Sequence, residues 1–312
     1  MTRPALDVVV VGNVGIDTNV YLPGADVDWS REANFTENRD YVGQAGGYAA
    51  RGYAQLGWRT GFIGTVGDDW AGAMVRAELE HDGIDLHGLW VDPVGTARSV
   101  NVMGTDGSRK NFYDGAGHLN ATPPDAAYEV VRSARLVHVN IANWARLLLP
   151  AARSGGAVVA VDLQDLADPR DAYRADFVVA ADVAFFSAAN VGGPRLVAEA
   201  LRDVNPGLLV VVGMGAQGCG VADAQGWRTY PAPPSDLAVV DTNGAGDALA
   251  VGVLTSHVLQ GLSLEQSVLR GQVAARWCAA QRASTSTLIT RDDLDRLSGT
   301  AEGGGPRGSS PA

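Results

Sequence analysis

The stretch Asp241-Thr242-Asn243-Gly244-Ala245-Gly246-Asp247 decides how the rest of this chain is read. Behind it, residues 248–260 carry no charge and Gly261 follows. An uncharged run of that length ending in glycine predicts a buried helix with a glycine stop. Two glycines and an alanine at its start let another group approach the backbone closely. The unpaired amides of a first helical turn, with the helix dipole behind them, make a site for an anion. Asp247, set among those amides, is placed to take a proton from a hydroxyl that attacks the anion. Backbone-held phosphate beside a carboxylate base is the equipment of phosphoryl transfer. A plainer reading stands next to it. Asp in a first helical turn is ordinary, and Gly-Ala-Gly can serve helix packing alone.

The whole chain sets bounds on that site. Its 312 residues are 46% hydrophobic and 19% charged, enough for a sizeable core. That length admits two domains, but large α/β folds often run as one. Residues 1–300 are read as one domain and 301–312, rich in Gly, Ser and Pro, as a disordered tail. A net charge of −11 with no basic run argues against a nucleic-acid partner. It does not exclude an anionic substrate held by local glycine loops and arginines. Two cysteines, Cys219 and Cys278, make no disulfide framework and are expected to be reduced and structural. The apolar run Val8-Val9-Val10-Val11 is too short for a signal segment or a membrane span. A cytoplasmic protein with no membrane partner is the expectation.

Along the chain, aliphatic runs alternate with helical patterns, which predicts a mostly parallel sheet covered on both faces. Residues 6–11, 59–67, 136–139, 158–161, 183–186 and 207–212 read as its strands. Asp17 is expected just past the first strand end, where α/β sheets bind ligands, although an Asp there also serves a plain turn. Asn140 and Asp162 close two further strands toward the same rim. Residues 19–44 and 96–113, the latter with an Asp106-Gly107 turn, are β material outside the core. Gly46-Gly47 is expected to open a helix to Leu56 with Gly57 as its stop. Trp70 to His81 and residues 264–282 are further helices, the latter with Arg270 and Arg276 outward. A short helix enters through Thr290. His118 reads as structural. Gly213-Met214-Gly215-Ala216-Gln217-Gly218 spells a dinucleotide fingerprint, but the next residues pattern as a hairpin, not the helix that such a site needs.

The full string Asp-Thr-x-Gly-Ala-Gly-Asp, followed by the small pair Val251-Gly252, resembles the C-terminal signature of the ribokinase-like (PfkB) carbohydrate kinases. The resemblance spans residues 17–247 and implies an α/β three-layer sandwich with a small β lid from about 18–45 and 96–115. It implies an ATP-dependent kinase acting on a hydroxymethyl group of a sugar-like molecule, with Mg2+ as cofactor. Gly244, Ala245 and Gly246 would form the anion hole and Asp247 would be the base. Asp17, Gly46, Gly47 and the position of Arg51 would meet the substrate, and Gly215, Ala216, Gly218 and Thr242 would meet ATP. Closing lids of this kind keep water from the transferring group, and a homodimer through the lid is a further expectation.

Two departures from the family pattern matter. Arg51 stands where the family has an Asn that bonds substrate hydroxyls, and a guanidinium prefers carboxylates and phosphates. Either Arg51 serves solvent or a structural carboxylate, or the substrate is not a plain sugar. After residues 183–186 the family carries Asn-x-x-Glu for magnesium, whereas this chain has Ser187-Ala188-Ala189-Asn190. Only Asn190 is left there as a water-mediated candidate. Two other readings stay open. One is a nucleoside kinase, for which Phe35, Tyr41, Tyr48 or Phe112 would stack the base. The other is a ligand-binding pseudokinase.

Overall fold

The computed structural model describes residues 6–105, 109–282 and 288–299. The Asp106-Gly107 turn and the 301–312 tail therefore lie outside the described residues. Strand β1 (Leu6–Val11) leads into β2 (Gly15–Tyr21) and β3 (Glu37–Gly43), then helix α1 (Gln44–Gln55). Next come β4 (Thr60–Val66), α2 (Trp70–His81), β5 (Asp85–Val91), β6 (Ala97–Met103) and β7 (Arg109–Asp114). The central run is α3 (Asp125–Arg132), β8 (Ala134–Asn140), α4 (Leu149–Ser154), β9 (Val158–Asp162), α5 (Ala175–Ala180) and β10 (Val183–Ser187). It continues through α6 (Pro194–Val204), β11 (Leu209–Gly213), β12 (Cys219–Asp223) and β13 (Gly226–Tyr230). Helices α7 (Ala245–Leu254), α8 (Leu264–Ala279) and α9 (Arg291–Leu297) close the described chain.

The main sheet has nine strands in the order β13-β12-β11-β10-β9-β8-β1-β4-β5. All neighbours are parallel except the hairpin β12–β13, which is antiparallel to itself and to β11. The aliphatic runs follow from burial on both faces. Val8 and Val10 pack on one side with α1, α2, α7 and α8, while Val9 and Val11 pack on the other with α3 to α6. The result is the α/β three-layer sandwich that the alternation predicts. Strand order reverses between β1 and β8, so a crevice opens at their carboxyl ends, the usual ligand position of such sheets.

A second sheet, in the order β3-β2-β6-β7, is the lid. Its residues alternate. Asp17, Asn19, Ser99 and Asn101 are buried on one face, whereas Val100 and Phe112 are exposed on the other. Asp17 thus sits inside a lid strand, two residues into β2, and not in a turn after β1.

Two other expectations change. The uncharged run is helical only to Leu254 and then widens into a π-type turn over Thr255–Leu259, before Gly261 turns away at φ +72°. Arg270 is buried, not outward. Its guanidinium pairs with Asp295 at 2.7 Å and donates from Nε to Ser256 Oγ at 2.8 Å. The hydroxyl exposed to it by the π-type turn and the carboxylate from α9 offset the cost of burying this charge. Arg276, half-buried, donates to the Leu237 carbonyl. No described helix is long and apolar enough to cross a membrane.

Candidate active site

Helix α7 begins at the carboxyl ends of the parallel strands, where a Cβ on Gly213 of β11 would touch Leu249 of α7 at 3.4 Å. Its N-cap is Gly244 at φ +73°, and no side chain caps it. The left-handed turn there suits glycine, and the ring of Tyr48 occupies the space that a Cβ would need, 2.4 Å away. The Ala245 amide reaches the Thr242 carbonyl at 3.2 Å, and Ala248 N bonds Gly244 O at 2.8 Å. The amides of Gly246 and Asp247 lie between them in the first turn, where the helix supplies no acceptor. Gly246 is exposed, and a Cβ there would meet nothing within 4 Å. The helix mouth is therefore open and uncapped.

Asp247 is half-buried at this mouth, and its Oδ1 is buried with no hydrogen-bond partner among the described residues. Burial first, and then the charges of Asp162 and Asp17, raise its pKa well above the ordinary carboxylate value, while Arg109 pulls it down. Asp162, at the end of β9, is raised to about 6, mainly by burial. Asp162 and Asp17 thus both act on Asp247, and Arg109 from the lid acts on Asp247 and Asp17.

Asp17 is 4% exposed. Its Oδ2 accepts from the Gln44 amide at 3.1 Å and from Tyr48 Oη at 3.4 Å, and its Oδ1 is unpartnered. Burial raises its pKa, and the bonds from Gln44, Ser99 and Tyr48 lower it. Gln44 Nε2 and both side-chain atoms of Asn140 are likewise buried without partners. Asn140 stands at the β1–β8 reversal, where a Cβ on Gly12 would lie 2.2 Å from its Oδ1. Buried polar atoms left unpaired are costly, so this set offers unused hydrogen-bonding capacity in one part of the molecule.

Other sequence candidates take different roles. Gly46 and Gly47 are buried inside α1, which starts two residues earlier, at Gln44. A Cβ on Gly46 would lie 2.4 Å from the Asn13 carbonyl, and one on Gly47 would lie 3.1 Å from Val14. Their smallness serves packing of α1 on the β1–β2 turn. Arg51 points at α2, with Nε 2.6 Å from Asp82 and Nη2 3.0 Å from Glu78. Arg51 thus has the carboxylate partners that one of the two readings of this departure expects. Gly215 and Ala216 are exposed in a tight turn after β11, and Gly215 has open space on its Cα. Gly218 is buried, and a Cβ there would strike the Tyr230 carbonyl at 2.2 Å, so that glycine closes the hairpin. Thr242 is exposed beside the α7 mouth. Asn190 is exposed after β10. His118 is a buried brace whose Nε2 meets Tyr113 Oη at 2.9 Å and whose Nδ1 donates to the Gly115 carbonyl. Both cysteines are buried and neither is in a disulfide.

Sequence reasoning missed Arg109 and Gln44. Arg109, at the start of β7, donates to Asn243 Oδ1 across the lid interface. Only the lid fold brings these residues together, 134 positions apart. Gln44 has φ +63°, a backbone state that side-chain pattern does not announce.

A family model, pfkB family carbohydrate kinase, matches residues 5–291. The chain belongs to the pfkB family of carbohydrate kinases. Among curated relatives of this pfkB kinase, the acarbose 7(IV)-phosphotransferase of Actinoplanes sp. is 30% identical over 294 residues, covering 93% of this chain and 97% of the relative. An ATP-dependent ribose-1-phosphate kinase of Halopiger xanaduensis is 28% identical, covering 90% and 96%. The solved structure of a microbiome-derived acarbose kinase superposes on the pfkB chain with a TM-score of 0.85 at 28% identity, covering 94% and 99%. Arabidopsis thaliana ribokinase, solved with ribose and ATP, shares the fold at a TM-score of 0.80 and 21% identity.

Proposed function

We propose that this pfkB kinase transfers the γ-phosphoryl group of ATP to a hydroxymethyl group of a sugar or sugar-like polyol, with Asp247 as general base. The observation that carries this reading is the unpartnered Asp247 Oδ1 at an open, uncapped helix mouth, facing a cleft with unpartnered Asp17 Oδ1, Gln44 Nε2 and Asn140 atoms. Asp17, Gln44 and Asn140 hold the ring hydroxyls and fix the reacting one toward Asp247. Asp247 takes that hydroxyl's proton as its oxygen attacks. The amides of Gly246 and Asp247 stabilise charge on the transferring group, and donors of this kind are worth about 2.7–4 kcal/mol each. The exposed turn at Gly215 and Ala216, with exposed Thr242 before α7, would hold ATP on this reading.

Magnesium fits as an ion carried in with the triphosphate. Among the described residues no group of three or more His, Cys, Asp or Glu is assembled to hold a resident metal. Mg2+ usually keeps several waters and needs only one or two carboxylates beside phosphate oxygens. The orphaned Asp247 Oδ1 and Asp162 would supply acceptors for those waters, and exposed Asn190 would be a neutral candidate. When bound, the ion would neutralise charge on the phosphates.

Sugar-like acceptors are favoured over nucleosides because the stacking candidates are not free to stack. Tyr41 and Tyr48 are buried with their hydroxyls 2.8 Å apart. Phe35 is 92% exposed and Phe112 lies on the outer lid face. An ADP-release assay over ribose, ribose 1-phosphate, acarbose and nucleosides tests the proposal. Turnover is expected with at least one sugar-like acceptor, and Asp247→Asn should cut kcat by about 10²- to 10⁴-fold. Turnover retained by that variant, or tight ligand binding with no turnover by the wild type, would refute it.

A further inference from the structure

We propose that a row of lid asparagines, Asn111, Asn101 and Asn19, positions the anion-binding turn through Asp241. The proposal deepens the anion-hole reading above and rests on it. The three residues face one another on neighbouring strands, Asn19 opposite Asn101 and Asn101 opposite Asn111. Asn111 Nδ2 donates to Asn101 Oδ1 at 2.8 Å, and Asn101 Nδ2 donates to Asn19 Oδ1 at 3.0 Å. Asn19 Nδ2 then leaves the lid and donates to Asp241 Oδ2 at 2.7 Å, 222 residues away in sequence. Tyr21 Oη donates to the same oxygen at 2.8 Å. The other oxygen, Oδ1, accepts the backbone amide of Asn243 at 2.9 Å. Asn243 precedes Gly244, the left-handed cap that opens the first turn of α7, where the amides of Gly246 and Asp247 lack a helical acceptor.

The direction of the row follows from chemistry. A carboxylate only accepts, so Asn19 must offer its NH2 to Asp241. Its carbonyl then faces Asn101, which must in turn offer NH2, and so on to Asn111. Asn19, Asn101 and Asp241 are 0%, 2% and 1% exposed, so water cannot take over a lost link. None of these three is among the unpartnered polar atoms that a ligand would satisfy. They are therefore assigned as positioning residues, with no contact to the reacting atoms.

Polarity reversal tests this. Asn101→Asp keeps the shape but cannot donate to Asn19, and Asp241→Asn breaks the row at its other end. Each single variant is expected to lower kcat about tenfold or more while acceptor KM stays within about twofold. Hydrogen exchange of the amides of residues 242–247 should rise by a similar factor. In the double variant the two links at Asn19 can run the other way, from the new amide at position 241 through Asn19 to the new carboxylate at position 101, while Asn111 still donates to position 101. There kcat and amide protection should recover well above either single variant. A double variant no better than the worse single, or unchanged protection of residues 242–247 in Asp241→Asn, would overturn the proposal. So would an effect confined to KM. The exchange arm needs no turnover, so failure of the phosphotransfer reading and failure of the asparagine row would be told apart.

Discussion

Asp247 takes its character from its neighbours. Burial beside Asp162 and Asp17 favours its protonated form, and Arg109 opposes that. As the proposed base, Asp247 would have to be ionised to work, so kcat should rise with pH along a limb set above the usual carboxylate range. Asp162→Asn removes a like charge and should move that limb down, whereas Arg109→Gln removes the opposing charge and should move it up. A pH–rate profile of the two variants checks both signs. The same logic gives a stability effect. The Asp162 pKa is about 6 in the folded chain against an ordinary 3.8, so the folded state binds its proton more tightly. The associated stability is complete below about pH 4 and is lost as pH rises through about 6. Asp162→Asn should therefore be more stable than wild type at pH 7.5, by about 1–3 kcal/mol, and no different at pH 4. Thermal melts at the two pH values read this directly.

Elements set where those residues stand, and much of this was legible. The 241–247 string marked the α7 mouth, and the glycine stops at Gly57 and Gly261 appear at φ +82° and +72°. Unbroken aliphatic runs announced β1, β8, β9, β10 and β11, because strands buried on both faces need no polar alternation. Strand β5 and helix α3 went unread. Strand β5 is an edge strand interrupted by His87 and Gly88, and α3 follows two prolines with only two fully buried residues. Arg270 misled because pattern alone treats a charge as an outward marker, while its partners come from the π-type turn and α9. Arg51 was ambiguous because Glu78 and Asp82 are supplied by a different helix, α2. Arg51→Asn should leave acceptor selectivity unchanged and lower stability by about 1 kcal/mol, measured by denaturant titration. Helices α7 and α8 cross at paired glycines: a Cβ on Gly252 would sit 2.7 Å from Gly271 Cα. Gly252→Val should cost about 1–3 kcal/mol by overpacking, seen as a lower melting temperature.

At the scale of the molecule, the lid is a separate sheet laid over the mouth of α7. Its edge strand β7 is exposed at all six residues, and the outward face carries Val100 and Phe112. An edge strand beside apolar side chains is a template for another strand, and two-fold symmetry would let a second copy of this chain supply the matching one. The lid is therefore proposed as the contact of a homodimer. Light scattering should give twice the 32.4 kDa chain mass, and Phe112→Asp should return it to the single-chain value.

The lid also fastens itself to the motif that it covers, through Asn19 and Tyr21 on Asp241 and Arg109 on Asn243. Such bonds are worth about 0.5–1.5 kcal/mol each after exchange with water, so three together hold the door by roughly 3 kcal/mol. At that cost only about one molecule in a hundred stands ajar at any instant. Ligand capture would then be throttled by how often the latch lifts, and stopped-flow association should level off at high ligand concentration. Loosening the latch with Tyr21→Phe would speed admission while weakening the seal that keeps water from the phosphoryl group.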